Sequence, residues 1–297
     1  MADLPTVLFG VGAAKAGTSW LWRYLESHPD CHFRSIKELH YFDSLAQNRL
    51  EGALRRARAE LDTLTINLAG AAGARSERLG KRVRDLQDWI AVLALRVQDM
   101  AAYRGYLVSG RGARRVVGDV TPAYALLPED RLREMAGVAP DVRFVYLMRD
   151  PVARLWSHVR MLAHRHAPEG TVAEAAVELM RRICAGDTSG QAGGVVARGD
   201  YAGALARLDR AVDPARLLVM FQEHLMTRPG IFRLTRFLGI AAHPADLGRY
   251  VHTGVPLVLP VAERDAARAF LRPQYDAAAR RFGDLPEAWR ANTVDAA

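Results

Sequence analysis

An apolar run over residues 6–11 leads directly into Gly12-Ala13-Ala14-Lys15-Ala16-Gly17-Thr18-Ser19, and an amphipathic stretch opens at Ser19. An unbroken apolar run of this length suits a strand buried on both faces. The glycines permit a tight turn, and a helix that starts after such a turn aims its free N–H groups and the positive end of its dipole back at it. The segment therefore predicts strand, turn and helix arranged as an anion cradle. Gly12 and Gly17 have the spacing of a nucleotide-triphosphate P-loop, yet Thr18 follows Gly17 directly and the only lysine in the segment is Lys15. This register points to a phosphate-bearing ligand and argues against ordinary ATP or GTP hydrolysis.

The 297 residues are enough for one large α/β domain or two small ones. The net charge of +8 is almost all arginine, because the chain holds only Lys15, Lys37 and Lys81 as lysines, and the first two lie beside the cradle. The charge is scattered along the chain, which suits a small polyanion or an acidic substrate better than a nucleic acid. The alternation of arginine with acids over residues 55–60 and 75–85 reads as solvated helix faces. Cys31 and Cys184 have no metal or redox spacing, so a reduced, cytoplasmic location is expected. No run approaches the roughly 20 apolar residues of a membrane span.

Periodicity organises the rest. A helix is expected over 18–27, with Trp20, Leu21, Tyr24 and Leu25 on one face and His28-Pro29 as its stop. Leu50, Leu54, Ala57, Leu61, Leu64 and Leu68 alternate steps of four and three, as do Leu79, Val83, Leu86, Ile90, Leu93, Val97 and Met100. Residues 46–102 therefore read as a helical hairpin with a break at 69–74, inserted in a single domain spanning 1–297. Strands are predicted over 115–118, 142–148 and 217–221. Helices are predicted over 151–164, 172–185, 201–211 and 230–238, with a terminal helical region over 263–282 broken near Pro273. Five glycines between 186 and 199 predict a mobile loop there. Strands separated by helices imply an α/β fold with a mainly parallel sheet and ligands at the strand C-terminal ends.

A second anion-holding element follows the strand at 142–148: Arg149-Asp150-Pro151-Val152-Ala153-Arg154-Leu155-Trp156-Ser157. Asp150 is placed to cap a helix with Pro151 at its first position. Arginine at a parallel strand end can grip a phosphate with two parallel hydrogen bonds, and Ser157, about two turns on, can add a hydroxyl. His158, His164 and His166 lie along the same helix, but no carboxylate or cysteine completes a ligand set; they are expected to face solvent, and no metal site is predicted.

Taken together, these segments resemble the sulfotransferases that use 3′-phosphoadenosine 5′-phosphosulfate (PAPS), in particular a bacterial branch similar to the heparan-type enzymes. Lys15 to Ser19 resembles the family's 5′-phosphosulfate loop, and Arg149 to Ser157 its 3′-phosphate element. Lys37-Glu38-Leu39-His40-Tyr41-Phe42-Asp43 is similar to the family's Lys-Glu-x-His-Phe-Phe segment, and Gly118-Asp119-Val120-Thr121-Pro122-Ala123-Tyr124 to its Gly-Glu-Lys-Ser/Thr-Pro-x-Tyr. Arg198-Gly199-Asp200-Tyr201 precedes the late strand as in the family.

The resemblance implies a P-loop-like three-layer α/β fold and metal-independent transfer of a sulfuryl group, leaving adenosine 3′,5′-bisphosphate. The acceptor class it implies is a hydroxyl, or less commonly an amine, of a carbohydrate, lipid or small natural product. By analogy with phosphoryl transfer the protein positions the groups and stabilises charge. Lys15, with the N–H groups of Gly17 to Ser19, is the natural partner of the leaving oxygen. The resemblance assigns donor binding to Lys15, Ala16, Gly17, Thr18, Ser19, Arg149, Ser157, Arg198 and Gly199. It makes Glu38 the general base, with His40 as the competing base.

Two departures bear on this. Val120 stands where heparan-type members carry lysine, while Asp119 keeps the acid. The heptad hairpin is longer than a minimal member needs; packing against itself or the domain is the simpler reading, and a homodimer through it stays open. The alternatives are a P-loop-like nucleotide kinase and a non-catalytic adapter on the same fold whose hairpin recruits partners.

Overall fold

The computed structural model describes residues 4–248 and 257–293. Its centre is a five-stranded, all-parallel sheet in the order β2-β3-β1-β4-β5. The strands are β1 (Thr6–Gly12), β2 (Cys31–His32), β3 (Val116–Val120), β4 (Val142–Met148) and β5 (Leu217–Phe221). β1 lies in the middle, with Leu8 and Phe9 sealed from solvent, as an apolar run without alternation requires. After β1 the chain turns to one side to lay down β2 and β3; after β3 it crosses to the other side of β1 to form β4 and β5. That change of direction opens a crevice at the C-terminal ends of β1 and β4.

Helices flank the sheet: α1 (Thr18–Ser27), α2 (Tyr41–Ala46), α3 (Leu50–Ala69), α4 (Gly73–Ala94), α5 (Met100–Val108), α6 (Glu129–Ala136), α7 (Pro151–His166), α8 (Val172–Cys184), α9 (Gly190–Ala197), α10 (Tyr201–Ala211), α11 (Gln222–Leu225), α12 (Arg228–Leu238), α13 (Val261–Phe282) and α14 (Glu287–Thr293). The bounds expected for α1, β4, α10 and β5 are those observed. At α7, Asp150 caps as predicted, its Oδ1 accepting from Ala153 N at 2.7 Å, with Pro151 in the first turn.

The hairpin differs from its heptad reading. Its second helix stops at Ala94, Arg96 takes a left-handed φ of 58°, and Val97 is exposed. Asp99 then caps a separate helix, α5, by accepting from Ala102 N at 2.8 Å. Only the root of the hairpin is buried. Leu54, Leu86, Trp89 and Leu93 join the main core, and Arg34 ties the root down through Asp85 at 2.9 Å and through Asp88.

Residues 186–199 hold a helix, α9, where a loop was expected. Three glycines make it a poor helix former in isolation, but burial of Ala192 and Val195 outweighs that preference. Pro273 does not break α13; it sits on the solvent side, where water can serve the carbonyl deprived of its N–H partner. β2, α2, α5, α6 and α14 were not predicted; their short runs carry too few turns of periodicity to register.

Candidate active site

The crevice at the switch point is a cavity of about 940 Å³. Four separate chain segments carry their candidate side chains to it, each placed there near a strand end or a helix terminus.

The first is the cradle. Gly17, with φ at 93°, turns the chain into α1, and a side chain there would press on Gln222 at 3.1 Å. Lys15 also holds a left-handed φ, of 70°, and its Nζ lies 3.7 Å from Met161 Sδ. Burial lowers its pKa, and so do the neighbouring charges of Arg149, Arg165, Arg160 and Lys37. Lys15, Gly17, Thr18 and Ser19 line the cavity. Ala16 is fully buried behind the loop and is not among the lining residues.

The second segment is the start of α7. Arg149 and Ser157 both line the cavity, and Arg149 Nη1 donates to the Lys15 carbonyl at 3.4 Å. The strand end is held from behind. Tyr201 OH donates to Arg149 O at 2.7 Å, and Asp150 Oδ2 accepts from Tyr275 OH at 2.6 Å and from Asn292 Nδ2 at 3.1 Å. The C-terminal helices α13 and α14 thus buttress the arginine.

The third is α9 with the residue after it. Arg198 reaches the cavity, its Nη1 donating to Gly194 O at 2.9 Å. Gly199 does not line it. It packs on the Arg154 guanidinium, where a Cβ would come within 2.3 Å of Nη2, and it faces a smaller cavity of about 470 Å³ behind α9.

The fourth carries Lys37, Glu38 and His40. Glu38 pairs with Lys37 and lies 3.4 Å from His40 Nε2, while His40 Nδ1 lies 2.8 Å from Asp43 Oδ2. Hydrogen bonds to Asp43 and then Glu38 push His40 up to about 10. Burial pushes the Glu38 carboxyl up, but His40 and Lys37 outweigh it and hold it at about 2. His40 is thus an imidazolium clamped between two carboxylates, and Glu38 is an anion held by two cations. Among the lining residues Glu38 is the only carboxylate.

Asp119 is not at the cavity. It is buried beneath the fourth segment and accepts from Thr121 Oγ1 at 2.7 Å, Tyr124 OH at 2.7 Å and Tyr103 OH at 3.0 Å, with Leu39 N at 3.5 Å. Tyr124 OH in turn accepts from Tyr41 N at 3.0 Å. The acid therefore anchors the backbone that presents Glu38. Burial pushes its carboxyl up to about 6, against the opposing pull of these hydrogen bonds.

Some lining residues were missed from the sequence. Arg160, Met161, His164 and Arg165 follow Ser157 around the face of α7 at steps that helical periodicity marks, and Gln222 follows a strand end as Arg149 does. His158 was expected in solvent and is instead 5% exposed, on the cavity wall. No residue of 46–102 lines the cavity. Among the described residues no cluster of three or more His, Cys, Asp or Glu is placed to hold a metal ion, and no helix is long and apolar enough to cross a membrane.

The crevice is therefore a cation-lined cavity at a strand switch point, with the start of α1 and the side chains of Lys15, Arg149, Ser157 and Arg198 on its wall. Among curated proteins, none matches the chain. The structure is similar to a crystal structure of a sulfotransferase from Alicyclobacillus acidocaldarius, with a TM-score of 0.61 at 22% identity over 96% of this chain and 98% of that one. It is also similar to the sulfotransferase domain from the curacin biosynthetic pathway, with a TM-score of 0.52 at 17% identity over 92% and 98% of the two chains. At such identities these likenesses speak for the fold. Membership rests on the sequence: the profile of the sulfotransferase family matches residues 5–244, which takes in all four segments that build the cavity, and the chain accordingly belongs to that family of enzymes.

Proposed function

We propose that this sulfotransferase takes its sulfuryl group from PAPS and passes it to a hydroxyl of a carbohydrate, lipid or small natural product. The observation that carries the reading is the meeting of two anion-holding segments in one cavity: Lys15 and Gly17 to Ser19 from the loop after β1, with Arg149, Ser157 and Arg198 from α7 and the end of α9. A ligand with more than one anionic group fits such a cavity. The cradle also suits it, since backbone donors approach without a side chain at Gly17.

In the transfer, the bond from sulfur to the donor's phosphate oxygen breaks and a bond from sulfur to the acceptor oxygen forms. Lys15 meets the charge that grows on the leaving oxygen, helped by the N–H groups opening α1. The acceptor's proton goes to Glu38, the carboxylate at the cavity wall. His40 is already protonated and orients Glu38. A bound polyanion competes for Lys37, and each weakening of the Lys37–Glu38 pair raises the basicity of Glu38.

Titration of the purified protein with adenosine 3′,5′-bisphosphate, and in parallel with ATP–Mg²⁺, tests the reading. Binding of the bisphosphate in preference to ATP is expected; preference for ATP–Mg²⁺ assigns the cavity to a kinase instead.

A further inference from the structure

Arg154 is 1% exposed, and among the described residues no carboxylate pairs with it. Its Nη2 donates to Val195 O at 3.3 Å, and its Nη1 lies 3.4 Å from Nδ1 of His158, one turn along α7. A guanidinium has five donors and no acceptor, so in this contact the imidazole nitrogen accepts. Nδ1 therefore carries no proton, and the ring's single proton sits on Nε2. Protonating both nitrogens is disfavoured by burial, by Arg154 in contact, and by the nearby charges of Arg198, Lys15 and Arg165; these hold the His158 pKa down at about 3.

The consequence is a fixed N–H donor. His158 is 5% exposed, it lines the main cavity, and its Nε2 has no hydrogen-bond partner within the described protein. Its neighbours by charge include Arg198 and Lys15, both of which line the cavity. A guanidinium buried without a contacting carboxylate is costly, and His158 on the cavity wall offers its Nε2–H to a ligand. An anion arriving at Nε2 takes that hydrogen and brings negative charge near the Arg154–His158 pair. The guanidinium then polarises the ring from behind and strengthens the Nε2–H bond, as linked hydrogen bonds do.

We propose that Arg154 and His158 form a buried couple in which Arg154, a positioning residue, locks His158 as the Nε2–H tautomer, and His158 donates that hydrogen to a phosphate of the nucleotide donor. This rests on the donor reading above and adds a neutral ligand-binding group to the charged ones.

Nitrogen-15 NMR of the histidine rings at neutral pH reads the tautomer directly, and calorimetric titration with adenosine 3′,5′-bisphosphate reads the contact. The free protein is expected to show His158 protonated on Nε2 alone, with Arg154→Met letting the ring populate both tautomers. His158→Phe is expected to lose affinity for the bisphosphate by about ten- to a hundredfold, the range for a hydrogen bond to a charged group. His158→Gln, which keeps an N–H, recovers most of it. Thermal melts of the unliganded variants separate binding from folding. A ring protonated on Nδ1, or His158→Phe binding as tightly as the unmodified protein, overturns the proposal. Absence of bisphosphate binding in the unmodified protein instead overturns the donor reading on which it rests.

Discussion

Arg149 and Lys15, 134 positions apart in sequence, are joined by a hydrogen bond of 3.4 Å from the guanidinium to the lysine's main-chain oxygen. The bond ties the loop after β1 to the end of β4, so the two segments proposed to hold the donor are joined before it arrives. Preorganisation of this kind spares the cost of ordering both at the moment of binding.

Replacing Lys15 by Ala separates binding from chemistry. Turnover with saturating donor is expected to fall about 10²- to 10³-fold, while affinity for adenosine 3′,5′-bisphosphate changes little, because Lys15 meets charge that grows only in the transition state. Parallel steady-state kinetics and calorimetry check it. A rate unchanged by the substitution removes Lys15 from the mechanism.

Glu38→Gln preserves shape and removes the base. The expected loss is about 10² to 10⁴ in rate with donor binding intact. His40→Ala is expected to cost less, since it removes an orienting cation and not the base. Were His40→Ala the more damaging of the two, the proton would have to be assigned to His40.

Arg149→Ala and Ser157→Ala test which part of the donor is gripped. Charge-assisted hydrogen bonds contribute about 1.5 to 3 kcal/mol each, so Arg149→Ala should weaken PAPS binding roughly ten- to a hundredfold. Adenosine 5′-phosphosulfate, which lacks the 3′-phosphate, should bind the variants and the unmodified protein alike. Equal weakening for both ligands moves these residues to another role.

Asp119 makes stability depend on pH with a defined sign. Its carboxyl is raised to about 6 in the folded chain, above its ordinary value of 3.8, so the folded state holds the proton more tightly than the unfolded one. The stability it contributes is present below about pH 4 and is lost as pH rises through about 6. Denaturant titrations should show the unfolding free energy of the unmodified protein, relative to Asp119→Asn, falling by roughly 2 kcal/mol from pH 4 to pH 7. A difference independent of pH contradicts this.

The hairpin calls for a narrower deletion than its heptads suggest. Removing all of 46–102 takes Leu86, Trp89 and Leu93 out of the core and strands Arg34 without Asp85, which should unfold the protein. Excising 61–80 with a short linker spares the root, and bisphosphate affinity is expected to survive because the hairpin lines no part of the cavity. Size-exclusion chromatography of the same protein reads whether the tip holds a dimer.

Much of this architecture was legible in the sequence. The strands at 6–11, 142–148 and 217–221 are rich in apolar and β-branched residues, with only Arg143 charged among them, and each reads correctly because a strand buried on both faces has to be mostly apolar. Lys15 and Arg149 stood out because they sit at strand ends before helix starts, where backbone geometry concentrates anion-binding groups, whereas Glu38 and Arg198 were singled out through the resemblance of their segments to the family.

What local pattern could not reach was decided by packing between distant segments. Three glycines over 190–197 favour a loop, and only the burial of Ala192 and Val195 against the rest of the protein makes a helix there. His158 has the local character of a surface residue, yet Arg154, the folding of α7 under α9 and the charges of Lys15 and Arg198 make it a buried neutral donor. Asp119 stood in the sequence only as the acid of a family-like segment, and it is an anchor because two tyrosines from outside its own strand close over it. From the sequence came the long elements and the chemical types at their ends, since those follow from hydrophobic period and backbone conformation within a few residues. Tertiary structure alone decided which of those types face the cavity and in what protonation state, since burial and charge at a residue are set by neighbours that the chain brings from a hundred positions away.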